Sequence, residues 1–196
     1  MRIAFVPSAP LLLPELGGGP ADLRSACQQA ISVLRGEVAV LGSGTPTGPR
    51  TGSVDATPYG VRGTPSADPL PLPLAVGSAL LGDRPHRLLA VDGSAVELDG
   101  SDLLVVGDGT ARRTEKAPGH LDPRAEPFDG LVESALRAGD PGALDLDAGL
   151  GRELLVSGLD VWRTVARSLT GTFDAEVLYA GAPFGVGYVV ATWLGS

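Results

Sequence analysis

Apolar positions fall into two rhythms along the chain. Short unbroken runs read as strands buried on both faces: Arg2–Val6 (RIAFV), Glu37–Gly42 (EVAVLG), HRLLAVD from His86, and SDLLVVGD from Ser101. Between them the spacing turns helical. Leu23, Ala26, Cys27, Ala30, Ile31 and Leu34 follow Pro20, with Asp22 in the first turn and Gly36 as the stop. Phe128, Leu131, Val132, Ala135 and Leu136 form a second apolar face, with Pro127 near its start and Gly139 past its end. Leu159, Trp162, Val165, Ala166 and Leu169 form a third. LPLAVGSALLG, from Leu72, predicts a short helix. The chain closes with EVLYAGAPFGVGYVVATW, two strand-like runs around a Gly/Pro turn. No internal repeat is visible.

Strands alternating with helices predict one α/β domain over residues 1–196, with a central, mainly parallel or mixed sheet covered by helices on both faces. The last two runs have no helix between them and suit an antiparallel pair. Residues 43–73 are rich in Gly, Pro, Thr and Ser. That is long for a connector, which predicts a flexible loop or a functional flap. In sheets of this kind ligands meet the loops beyond the carboxyl ends of the strands. Three loops qualify, Pro7–Gly19, Ser43–Pro73 and Gly107–Pro127, and the fold would bring them to one cleft.

Charge narrows the partners. The 196 residues carry a formal net charge of −8 and the pI is about 4.7. Such a chain repels phosphate backbones and anionic membranes, so neither nucleic acid nor membrane is expected as a partner. No apolar run approaches the roughly 18 residues that span a bilayer. The apolar start is broken by Pro7, Pro10 and Pro14 and does not read as a signal peptide. The single cysteine, Cys27, sits on a helix's apolar face, which suits a buried small hydrophobe and a cytoplasmic setting.

The densest candidate chemistry is GDGTARRTEKAPGHLDPRAEPFD, Gly107 to Asp129, directly after a strand. Gly107 and Gly109 permit close backbone approach, so free amides there would face an anion. Asp108 would orient a hydroxyl or amine. Arg112, Arg113 and Lys116 would hold a carboxylate or phosphate, with His120 in support. The alternating signs of Asp108, Arg112, Arg113, Glu115, Lys116, Asp122, Arg124 and Glu126 also fit a surface loop laced with ion pairs. Pro118, Pro123 and Pro127 stiffen either version. A metal site is harder to assemble. The chain has two histidines; His86 precedes a strand, leaving His120 with Asp108, Asp122 or Glu126. There is no Gly-x-Ser-x-Gly elbow and no Walker loop. In APFGVGYVVATW, Gly185 and Gly187 admit either a ligand or a bulged, closely packed strand, with Tyr188 and Trp193 as core or rim aromatics.

PSAPLLLPEL, LLVVGDGTARRTEKAPGHLDPRAEPFD and APFGVGYVVATW, in that order, resemble an uncharacterised bacterial group classed with the subunit-B domain of class III extradiol ring-cleavage dioxygenases. The Memo-like proteins share that superfamily. The resemblance spans nearly the whole chain and implies an α/β fold with a central sheet. In active relatives two histidines and a carboxylate hold a non-haem Fe(II), and a further histidine is the acid/base. Where relatives carry Pro-His-x-Pro this chain has Ser8 in VPSAP. At Gly-Pro-x-His it has Ser43, Gly44 and Thr45. At Gly-Asp-Leu-Ser-His it keeps Asp108 and has Ala111 for the histidine. Serine, glycine and alanine supply no imidazole, so the resemblance implies a degenerate metal site and no iron cofactor.

Three readings follow. The first is a ligand-binding protein that takes a small anionic or polar ligand, or a protein partner, at Gly107, Asp108, Gly109, Arg112, Arg113 and Lys116. The second is an active oxygenase or hydrolase with a metal site rebuilt around His120, Asp108 and Asp122. The third is an interaction scaffold in which the charged loop is exposed; an oligomer is compatible with each.

Overall fold

A computed structural model describes every residue except Gly18, Thr47 and Ser196. In chain order the elements are β1 (Arg2–Val6), α1 (Ala21–Ser32), β2 (Val38–Ser43), β3 (Pro49–Arg50), α2 (Leu72–Leu81), β4 (His86–Val91), β5 (Asp102–Val106), α3 (Ala125–Ala138), α4 (Ala148–Glu153), α5 (Leu159–Ser168), β6 (Asp174–Gly181) and β7 (Tyr188–Leu194). Short 3-10 turns occupy Pro10–Leu12, Thr57–Tyr59 and Pro141–Leu144.

The seven strands form one mixed sheet in the order β3-β4-β2-β5-β1-β7-β6. The central four, β4, β2, β5 and β1, run parallel. The closing pair β6 and β7 is antiparallel, as the missing crossover helix predicts, and β7 also pairs antiparallel with β1. Alternate residues of each strand serve opposite faces. Ala4, Val6, Val38, Val40, Leu104, Val106 and Val190 pack under α1 and α2. Ile3, Phe5, Ala39, Leu41, Leu103, Val105 and Trp193 pack under α3 and α5. Helices therefore cover both faces, and strands buried on both sides read as the unbroken apolar runs of the sequence. Trp193 anchors the second face: its indole meets Phe5 edge-on at 4.7 Å and its Nε1 donates 2.6 Å to the Leu136 carbonyl.

Several predicted boundaries move. Residues 43–73 are not a plain flap. Ser43 ends β2, and β3 adds a two-residue antiparallel edge to β4. The Asp55 carboxylate gathers the Thr57 amide and hydroxyl and the Ser66 amide, while Ala56 and Leu70 are buried. A two-residue strand opening on proline is too short to show a period, so the sequence gives no sign of it. The segment beginning at Leu72 already belongs to α2. Helix α1 stops at Ser32, before Gly36, which instead takes a left-handed turn (φ 58°) into β2. Helix α3 begins at Ala125, so Pro127 lies inside its first turn, where its missing amide needs no partner. Leu131 is 60% exposed; Ala125 and Asp129 take the inward positions instead. Helix α4 and the 141–144 turn, short and weakly periodic, went unpredicted. Cys27 is fully buried, and burial pushes its thiol up to about 12. Among the described residues no helix is long and apolar enough to cross a membrane.

Candidate functional site

The carboxyl ends of β1, β2 and β5 converge, and Ser8, Ser43 and Asp108 meet there. The Ser8 amide donates to Asp108 Oδ1 at 2.7 Å and the Ser8 hydroxyl to Oδ2 at 2.8 Å. Ser157, from the loop before α5, completes the cluster. Its hydroxyl accepts the Asp108 amide at 3.1 Å and lies 3.3 Å from the Ser8 hydroxyl. Its carbonyl accepts the Ser43 hydroxyl at 2.8 Å. The Gly158 amide returns to the Asp108 carbonyl at 2.8 Å. Two of the three predicted loops, at Ser8 and Gly107, and the Ser43 end of the third are thus sewn together. Ser8 is 2% exposed, Ser43 is half-buried and Ser157 is exposed, so the knot is closed at Ser8 and open to solvent at Ser157. Asp108 is a half-buried residue. Burial pushes its carboxyl up to about 6, against the downward pull of hydrogen bonds from Ser8 and Ser157. Nearby Tyr188 is raised to about 12, first by burial and then by the charge of Asp108.

The predicted anion nest at Gly107–Gly109 is overturned. The Gly107 amide donates to Val6, Asp108 to Ser157 and Gly109 to Gly187, so all three are committed within the protein. The glycines are there for close approach. A Cβ on Gly107 would lie 2.4 Å from the Gly158 Cα, and one on Gly109 2.5 Å from Asp129 Oδ1. The chain from Gly109 to Arg113 instead makes a ladder with the turn after β6. Gly109 donates to Gly187, Gly187 to Thr110, and Arg113 to Gly185. The closely packed version of the Gly185–Gly187 turn is therefore the observed one.

Arg113 is likewise spoken for. Asp129, 7% exposed on α3, accepts the Thr110 amide at 2.8 Å, the Thr110 hydroxyl at 2.9 Å and Arg113 at 3.0 Å. Burial raises the Asp129 carboxyl, and these donors oppose the rise. Arg113 also bridges Glu126 at 3.0 Å. Arg113, Glu126 and Asp129 line a cavity of about 210 Å³ between α3 and the β6–β7 hairpin.

The rest of the charged loop separates into different surroundings. Asp122 takes three hydrogen bonds from Arg124, which hold its carboxyl down to about 2. Arg124 continues to Glu153. His120 is exposed, in a left-handed conformation (φ 58°). The ion-pair version of this loop is thus correct for Arg113, Asp122, Arg124 and Glu126. The rebuilt site of His120, Asp108 and Asp122 is not assembled. Asp108 is enclosed by serines and Asp122 is occupied by arginine. No group of three or more His, Cys, Asp or Glu able to hold a metal forms among the described residues. Ser8, Ser43 and Ala111, at or near the carboxyl ends of β1, β2 and β5, supply no imidazole or thiolate to a metal.

Lys116 has a different setting. Together with Thr114 and Glu115 it faces Pro183, Phe184 and Gly185 across an open groove of about 670 Å³. Phe184 is 52% exposed, unusual for so large a hydrophobe. The groove joins the two motifs that stand out in the sequence. Sequence reasoning singled out Lys116 but missed Phe184, Asp129, Thr110 and Ser157. A phenylalanine between proline and glycine in a turn was the signal for Phe184; nothing local marks the other three.

Fold and site together define an α/β protein with a seven-stranded mixed sheet and its polar cluster at the carboxyl end of the parallel strands. No protein-family model and no curated protein matches the chain. Among solved structures it is similar to an uncharacterised protein, JW3007, from Escherichia coli K12, at 15% identity, with a TM-score of 0.52 and all of both chains covered. At that identity the likeness concerns the fold alone.

Proposed function

We propose that the chain is a ligand-binding protein of the extradiol dioxygenase subunit-B-like fold that has exchanged the iron site for the Ser8–Asp108–Ser157 knot. Its ligand is small, with an anionic group and an apolar portion, and occupies the groove between Thr114–Lys116 and Pro183–Gly185. The carrying observation is the pairing of Lys116 with exposed Phe184 in one groove. The ammonium supplies charge and the ring supplies a face for apolar contact. Arg113, neutralised by Asp129 and Glu126, holds the groove wall through the hydrogen bond its backbone amide donates to the Gly185 carbonyl.

Thermal-shift screening followed by isothermal titration tests this, using benzoate, phenyl phosphate and hexanoate on wild type, Lys116→Ala and Phe184→Ala. At least one compound is expected to stabilise wild type, with each variant weakening binding by about tenfold or more. Equal binding by all three proteins, or none by wild type, refutes the groove.

A further inference from the structure

Arg112 is the cation of the charged loop with an unmet need. Among the described residues its guanidinium has no hydrogen-bond partner, and its Nε is buried. Asp122 is close enough for the charge of Arg112 to help lower its carboxyl, yet both Asp122 oxygens are taken by Arg124. A buried donor without an acceptor is costly, because it has lost its hydrogen bond to water and gained none in return.

The chain nevertheless holds Arg112 firmly. Its stem lies on Gly119, where an added Cβ would sit 2.7 Å from Arg112 Cγ and 2.6 Å from Leu155 Cδ1. The Arg112 carbonyl accepts the Asp122 amide, and the Ala111 carbonyl accepts that of Gly119. The only two non-glycine residues with positive φ among those described flank this spot: His120 at 58°, next to Gly119, and Leu155 at 57°, touching it. Each left-handed residue is strained, because its Cβ crowds the following carbonyl oxygen. A left-handed residue thus follows Gly119 in sequence, a second packs on it, and the unpartnered Arg112 Nε lies against the same glycine.

We propose that Arg112 forms a binding site for a small oxyanion, phosphate or carboxylate. The anion meets the outer N–H groups of the guanidinium and offsets the charge that its dry inner edge leaves uncompensated. His120, exposed and next to Gly119 in sequence, has its Nδ1 3.3 Å from the Glu115 carbonyl. The site is independent of the groove, whose lining residues it does not share.

The test is a titration of the wild-type protein with sodium phosphate, acetate and chloride at matched ionic strength. It is read by the ¹⁵N–¹H resonances of the arginine Nε groups and by melting temperature. Saturable movement of the Arg112 Nε resonance with phosphate or acetate is expected, with Arg113 still and chloride inert. Arg112→Gln is expected to abolish the anion-dependent rise in melting temperature. A larger response to phosphate than to acetate identifies a phosphorylated ligand; the reverse identifies a carboxylate. An unmoved Arg112 resonance, or equal movement with chloride, overturns the site, and the resonance decides the matter even if Arg112→Gln does not fold.

Discussion

The Ser8 backbone and hydroxyl together grip one carboxylate: both Asp108 oxygens accept from Ser8, at 2.7 and 2.8 Å. This pairing fixes the loop after β1 against the end of β5. Asparagine can reproduce it, accepting the Ser8 amide and donating to the Ser8 oxygen, without a buried charge. Asp108→Asn is therefore expected to match or exceed wild-type stability at pH 7. Asp108→Leu leaves the Ser8 donors unmet and costs about 1–3 kcal/mol. Urea unfolding of the three proteins measures this.

The same carboxyl gives a pH signature. Its folded value of about 6 lies above the ordinary aspartate value of 3.8. Between these values the folded state binds more protons than the unfolded state, so Asp108's contribution falls as pH rises from about 4 to about 6. In Asp108→Asn that fall is expected to disappear. Unfolding free energies at several pH values between 4 and 7 check it, by the difference between the two proteins.

Arg113→Ala removes the one cation that, among the described residues, is bonded to buried Asp129. Thr110 still donates twice, so the loss is expected at roughly 1–3 kcal/mol at pH 7. It shrinks as pH falls, because burial raises the Asp129 carboxyl and protonation removes the charge that Arg113 neutralises. Chemical denaturation at pH 7 and over a descending pH series reads both parts.

Gly187→Ala would place a Cβ 2.3 Å from Asp129 Oδ2, between the carboxylate and the turn that carries Phe184. Something must shift, and a loss of about 1–3 kcal/mol is expected. Ligand response at the groove is expected to fall with it, which thermal shift detects in the same experiment.

Leu155 occupies the left-handed position after α4 that glycine usually takes, with the Val156 amide reaching back to Gly151. Leu155→Gly is expected to raise stability by up to about 1 kcal/mol. It also frees Arg112, so the anion response of the Arg112 resonance is expected to weaken.

The alternation of strand runs and helical faces determined the α/β class, the helices on both faces of the sheet and the antiparallel closing pair, because each rests on a local period that burial imposes. Cys27's burial was legible for the same reason. Lys116 was legible as a charge in a stiff loop, and Ser8 and Asp108 as residues just past strand ends. Which of these meet was not legible. Ser157 reaches Ser8 across 149 positions and Asp129 reaches Thr110 across 19, through bonds that no local pattern encodes. Gly107 and Gly109 looked like open amides in sequence and proved to be points where two backbones touch. Arg112 and Arg113 are adjacent and identical in kind, yet one is neutralised by a buried carboxylate and the other is not. That difference is decided by which neighbour each side chain meets in three dimensions, and only the tertiary structure supplies it.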